Sequence, residues 1–247
     1  MKMLKSILLF LPLALMSCNT QSSATRTDDT ELRTVRIGNF SKIDVATGIN
    51  VNLTTAPCNG KAKVTANKDD FDRLVVKVVK DELKVYLENK SLEYNNIRKT
   101  GAVTVQVCAP TLYDIEVSSA GRLNVSGNMV VDGDIDIEAS SAGSIVIEAL
   151  KVSGKCEIES SSAASVSIDN LTTDRLDCEA SSAAGIRLKS GNANRAKYEA
   201  SSAGSIKADG IKAATGKAEA SSGSSVKCNI VSGAKISKDS GGSVSNK

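Results

Sequence analysis

The sequence predicts an all-β protein: a parallel β-helix, or solenoid, in its C-terminal half, preceded by a β-rich head. Three observations carry this. A short motif recurs at a near-constant interval, the residues around each copy alternate apolar and polar with the period of a strand, and no helical face is visible after Thr111.

The motif opens as Glu116-Val-Ser-Ser-Ala-Gly and returns at Glu138, Glu159, Glu179, Glu199 and Glu219, at spacings of 22, 21, 20, 20 and 20 residues. A degenerate copy follows 18 residues later at Ser237. Periods in this range mark solenoids, in which one supersecondary unit stacks on the next because no unit can bury its apolar side alone. Leucine-rich repeats share the period but need a leucine and asparagine pattern that is absent here. Around the second copy, Ile137, Ala139, Ile145 and Ile147 alternate with Asp136, Glu138, Ser144 and Val146. Ile158, Ser160, Val166 and Ile168 repeat the inward set one coil on, and Tyr198, Ala200, Ile206 and Ala208 repeat it later. Further apolar positions at Leu150, Leu171, Ile211 and Ile230, flanked by Gly133, Gly154, Gly191, Gly210 and Gly233, predict a second wall and its corners. Alanines 200, 208, 218 and 220 replace larger residues and predict a looser core toward the end.

Stacked coils bring the motif residues into columns. Glu116, Glu138, Glu159, Glu179, Glu199 and Glu219 would align about 4.8 Å apart, where two charges repel by about 1 kcal/mol in water. A solvated face eased by nearby lysines such as Lys155, Lys197 and Lys217 is the first reading of that row. Bridging calcium is the alternative, but the Gly-Gly-x-Gly-x-Asp repeats of calcium-loaded β-rolls are missing, so no metal is expected. The serine pairs Ser118/Ser119, Ser140/Ser141, Ser161/Ser162, Ser181/Ser182, Ser201/Ser202 and Ser221/Ser222 read first as tight corners, which small side chains suit. From Ser140 to Ser222 they are also a candidate contact face, a ladder of hydroxyls at regular spacing.

Composition narrows the chemistry. The chain has no histidine and no tryptophan, and only three Phe and four Tyr. That excludes a histidine-dependent triad and histidine-ligated metal, and it weakens a sugar-stacking platform. A serine nucleophile would need another base, and no Ser-x-x-Lys arrangement with supporting motifs stands out. No catalytic residue and no cofactor are therefore expected.

The N-terminus reads as an export signal over residues 1–17. Lys2 and Lys5 precede an apolar run from Ile7 to Leu15 that is too short to cross a bilayer, and Leu15-Met16-Ser17-Cys18 resembles the bacterial lipobox, with Met16 a less usual occupant. Cys18 is the expected lipid attachment site, tying the chain to a membrane through acyl chains. Residues 18–34 are polar and read as a flexible tether. Of 31 basic side chains, losing Lys2 and Lys5 leaves 29 against 28 acidic ones, a near-neutral balance that gives no case for nucleic acid.

Five further cysteines remain: Cys58, Cys108, Cys156, Cys178 and Cys228. Alternating core positions favour buried thiols, and Cys58 with Cys108 is the pair to test first for a disulfide. Cys156 lies three residues before Glu159 and Cys178 one before Glu179, so their registers differ by two. That diagonal separates the backbones by about 7 to 8 Å, too far for an unstrained bridge, and predicts two packed thiols.

Residues 35–110 form the predicted head, with candidate strands at Val35–Ile37, Ile43–Val45, Ile49–Leu53, Ala62–Val64, Leu74–Val79, Leu83–Leu87 and Val103–Val107 and a hairpin turn at Lys80-Asp81-Glu82. Residues 111–247 carry the coils. Phe40-Ser-Lys-Ile-Asp-Val-Ala-Thr-Gly48-Ile49-Asn50-Val51 resembles the opening of the bacterial family called putative auto-transporter adhesin, head GIN domain. Val103-Thr-Val-Gln-Val-Cys-Ala-Pro110-Thr-Leu112-Tyr-Asp-Ile115 and the following Ser-Ser-Ala-Gly121 resemble that family's strand, Pro-x-Leu and small-residue coil sequence. The resemblance runs from about Val35 to the C-terminus. It implies a right-handed β-helix on an exported protein with an inferred adhesin role, brings no catalytic residues, and makes the Gly-Ile-Asn triplet a folding feature.

The function expected from all this is a non-catalytic, lipid-anchored module of the cell envelope that binds a glycan, a protein or envelope material, or acts as a scaffold. A carbohydrate-active β-helix enzyme is the alternative, using paired carboxylates of the Glu column or the cluster Asp132, Asp134 and Asp136. A purely structural envelope protein is the third.

Overall fold

The computed structural model describes residues 30–88 and 102–247, so the expected export signal, Cys18 and most of the polar stretch after it lie outside the described residues. In chain order the strands are β1 (Thr30–Arg36), β2 (Lys42–Val45), β3 (Asn50–Thr54), β4 (Lys61–Asn67), β5 (Leu74–Val79), β6 (Glu82–Leu87), β7 (Thr104–Cys108), β8 (Asp114–Val117) and β9 (Arg122–Val131). They continue as β10 (Ile135–Ala139), β11 (Ser144–Ser160), β12 (Ser165–Ala180), β13 (Gly185–Ala200), β14 (Ser205–Lys207), β15 (Ile211–Ala220), β16 (Ser225–Cys228), β17 (Lys235–Lys238) and β18 (Ser243–Asn246). A single helical turn, α1 (Lys68–Phe71), is capped by Asn67, whose side chain accepts from the Asp70 amide.

Alternation of inward apolar and outward polar residues winds these strands into a β-helix with three walls. In the first wall β8, β10 and the C-terminal parts of β11, β12, β13 and β15 stack in parallel down to β17. In the second, β3, β9, the N-terminal parts of β11, β12 and β13, then β14, β16 and β18 do the same. The expected second row of apolar residues is the third wall, where Leu150 pairs with Leu171, Leu171 with Gly191, and Gly191 with Ile211. Ile230 ends this wall through a bridge to Ala213. Gly191 is required where it stands, because a Cβ there would meet the Leu171 carbonyl oxygen at 1.8 Å.

The head strands form where expected, and they continue the column. β2 lies between β6 and β8, and β3 between β7 and β9, all in parallel. The first rung is thus covered on both sides by strands that come later in the chain. β5 and β6 form the hairpin turned by Lys80 and Asp81, both with positive φ. β4 caps β7 and is itself capped by β1, each antiparallel. β1 begins inside the polar stretch, since antiparallel pairing draws on backbone groups that any sequence supplies.

Burial follows the alternation. Ile137, Ile158, Cys178, Tyr198 and Ala218 form one inward column, all at most 2% exposed. In the C-terminal coils Ala200, Ala208, Ala218 and Ala220 are buried, and Tyr198, the largest fully buried side chain among the described residues, occupies the same coils. Cys156 and Cys178 stay free and buried on the predicted diagonal, Cys156 opposite Leu176 and Cys178 opposite Ile158, and Cys228 is a third buried thiol. Cys58 and Cys108 are not thiols but a disulfide, with their Cα atoms 5.4 Å apart, because β3 and β7 run side by side and place the two segments within reach.

Candidate functional site

The corner between the first and second walls is built the same way in successive coils. Two consecutive residues take positive φ, as in Ser141 (47°) with Ala142 (62°), Ser162 (52°) with Ala163 (61°), and Ser182 (52°) with Ala183 (62°). The amide of the fourth residue closes the turn, Gly143 donating to Ser140 at 2.8 Å and Ala184 to Ser181 at 3.0 Å. This is the pattern of a type I′ turn, which ordinarily selects Gly, Asn or Asp. Ser and Ala are held there by the neighbouring coils: the Ala142 amide donates to the Ser162 carbonyl, Ala163 to Ser182, Ala183 to Ser202 and Ala203 to Ser222, each at 3.0 Å. The sheet ladder therefore runs unbroken round the corner. Gly48, of the Gly-Ile-Asn triplet, is the uppermost member among the described residues, with φ +69° and its amide donating to the Ser119 carbonyl at 2.9 Å.

Every predicted serine pair falls on this edge. The first of each pair, Ser140, Ser161, Ser181, Ser201 and Ser221, is half-buried, and the second, Ser141, Ser162, Ser182, Ser202 and Ser222, is exposed. Among the described residues none of these hydroxyls has a protein partner.

Beside the edge, on the outer face of the first wall, the glutamates stack as predicted: Glu116 on Glu138, Glu138 on Glu159, Glu159 on Glu179, Glu179 on Glu199 and Glu199 on Glu219. The column extends beyond the motif, with Asp44 and then Lys84 above Glu116 and Ser237 below Glu219. Asp44 stands two residues before its turn, in the phase of the glutamates, but it precedes Glu116 by 72 residues, so the repeat spacing does not mark it. A parallel column two residues earlier runs Asp114, Asp136, Glu157, Asp177, Lys197, Lys217. Its sign change divides the wall in two.

In the lower half, Lys197 pairs with Glu199 at 2.7 Å, and Lys217 with Glu199 at 3.0 Å and Glu219 at 3.3 Å. Burial works to raise the Glu199 pKa, but hydrogen bonds from Lys197 and Lys217 outweigh it and hold the carboxyl below its ordinary value. The upper half lacks that help. Burial, then the Asp44 and Glu138 carboxylates, push Glu116 up, and burial, then Glu179 and Glu138, push Glu159 up. Asp136 is raised by burial and by Glu157 and Asp114, against Lys155. Lys155 serves the neighbouring column, at 2.6 Å from Glu157 and 3.3 Å from Asp177.

Wall and edge meet in a groove of about 380 Å³ near the lower end, lined by Glu179, Glu199, Glu219, Ser201, Ser221 and Asp239 among others. Among the described residues no group of three or more acidic or cysteine side chains is placed to hold a metal ion. Asp132, Asp134 and Asp136 are not brought together as a pair of working carboxylates. Asp132 accepts from the Ser153 hydroxyl at 3.0 Å and Asp134 from the Lys155 amide at 2.6 Å, clamping a corner, while Asp136 stands on the first wall.

The sequence from residue 39 to 247 matches the family described as putative auto-transporter adhesin, head GIN domain. The chain belongs to this family. Solved structures similar to this head GIN chain include a putative adhesin from Bacteroides fragilis NCTC 9343, 18% identical with a TM-score of 0.77, covering 90% of this chain and 98% of that one. A putative lipid binding protein from Parabacteroides distasonis ATCC 8503 is 17% identical with a TM-score of 0.76 over the same shares. A putative adhesin from Parabacteroides merdae ATCC 43184 is 19% identical with a TM-score of 0.73, covering 88% and 92%. At these identities the likeness is one of fold. No curated protein matches this head GIN chain. Among its described residues, no helix is long and apolar enough to cross a membrane.

Proposed function

We propose that this chain is a non-catalytic binding module of the cell envelope, anchored through a lipid on Cys18, whose contact face is the serine edge with the adjoining glutamate wall. The observation that carries this is the row of hydroxyls along the turn ladder, repeated at rung spacing and without protein partners among the described residues. A ligand with regularly spaced hydroxyl or amide groups, such as a glycan or an extended peptide, would meet one identical pair of donors and acceptors per rung. The family description and the similar adhesin structures support the role.

The test uses bacteria displaying the full chain on surfaces coated with mucin or with peptidoglycan. Replacing the second serine of each pair from Ser141 to Ser222 by alanine should abolish attachment while circular dichroism and membrane fractionation stay unchanged. Cys18→Ser should release the chain from the membrane fraction. Undiminished attachment of the alanine variant would discard the serine edge as the contact face.

A further inference from the structure

The two outer faces of the column treat like charges differently. On the first wall, lysines stand between stacked carboxylates in the lower coils and pair with them. On the second wall, Arg187 lies on Lys207 and Lys207 on Lys227, one cation per rung in register. All three are exposed, and among the described residues none has an ion-pair partner. The uncharged Ser167 stands above Arg187 and Ser245 below Lys227, so the row is confined to these rungs.

The row borders a groove of about 500 Å³ that is also lined by Lys189, Asp209 and Gly210. Lys189 is engaged by Asp169 at 2.6 Å, and Lys247 also lines the groove, which leaves Asp209 as the one acidic side chain beside four cations, Arg187, Lys207, Lys227 and Lys247, without an ion pair among the described residues. Gly210 is required where it stands, since a Cβ there would meet the Lys189 carbonyl oxygen of the adjacent coil at 1.9 Å. Neighbouring cations at rung spacing repel, and among the described residues Asp209 is the one acidic side chain lining the groove that can offset them.

We propose that this groove binds a linear anionic glycan lying along the column axis, its sulfate or carboxylate groups meeting Arg187, Lys207 and Lys227 in turn. One cation per rung suits anions carried by successive sugars, and guanidinium and ammonium groups both take sulfate and carboxylate oxygens. No aromatic side chain lines the groove to stack on bases, and the near-neutral chain provides no broad field for nucleic acid. The groove offers no exposed apolar side chain to enter a bilayer. This site is separate from the serine edge, and either can fail without the other.

The experiment measures binding of the full chain to heparin, polygalacturonate and uncharged dextran over a salt series, with double-stranded DNA and phosphatidylglycerol vesicles as rivals. Heparin or polygalacturonate should bind and dextran should not. A variant with Arg187→Gln, Lys207→Gln and Lys227→Gln should bind at least tenfold more weakly, with a salt slope shallower by about 2. A variant with Lys61→Gln, Lys63→Gln and Lys77→Gln loses the same charge elsewhere and should bind as wild type. Equal loss in both variants, no binding to either anionic glycan, or tighter binding to DNA, to vesicles or to a second copy of the chain would overturn the proposal.

Discussion

Tyr198 and Ser160 bury hydroxyls that have no hydrogen-bond partner. Burial also pushes the Tyr198 phenol far above its ordinary range, so it stays neutral. A buried hydroxyl left unpaired costs about 1 to 3 kcal/mol. Ser160 occupies an inward column whose nearest rungs carry Ala139 above and Ala180, Ala200 and Ala220 below. The repeat thus states its own preferred residue. Ser160→Ala and Tyr198→Phe should each raise stability by about 1 kcal/mol in chemical denaturation, whereas Tyr198→Ala should lower it by about 3 to 5 kcal/mol by emptying the alanine-rich coils. A loss with Ser160→Ala would show that its hydroxyl is satisfied by water.

The turn is the element on which the repeat depends. Ala183 sits at φ 62°, where Gly48, Gly223 and Gly241 stand in other coils with φ of 69°, 71° and 79°. Positive φ strains any residue with a Cβ, and a branched one most. Ala183→Gly should therefore leave stability unchanged or raise it by up to about 1 kcal/mol, while Ala183→Val should lower it, as read from the denaturation midpoint. The converse order would mean that the bonds between turns do not depend on this backbone shape. Strand alternation and the glutamate and serine columns were legible because period and register are properties of spacing. The turn type was not, since Ser and Ala seldom adopt left-handed φ alone and are held there by hydrogen bonds from coils above and below. The Arg187, Lys207 and Lys227 row was hidden for another reason: net charge averages it against the acidic wall, although each member follows its motif glutamate by eight residues.

Across the whole molecule, rungs in a solenoid contact mainly their neighbours, so a local loss stays local. The Cys58–Cys108 disulfide spans a separation of 50 residues, for which chain-entropy reasoning gives up to about 4 kcal/mol. Replacing both cysteines with alanine should lower protection of amides in β3, β4 and β7 in hydrogen exchange and leave β12 and β13 as they were. A uniform loss would show that the column opens as one unit. That β2 and β3 lie between later strands could not be read from the sequence, because the motif begins at Glu116 and carries no sign of what stacks above it.

That arrangement governs the order in which the polypeptide can assemble. β11, β12 and β13 each settle on the strand just made, about twenty residues back, whereas Asn52 meets Asn124 only after 72 intervening steps. A nascent chain halted before Arg122 therefore holds β3 with one open flank, and long-range closure of this kind is slow. β3 is made early, yet its second flank is sealed only once β9 exists, after β4 to β8 have each been made, so the top of the column waits on chain that every later rung has already at hand.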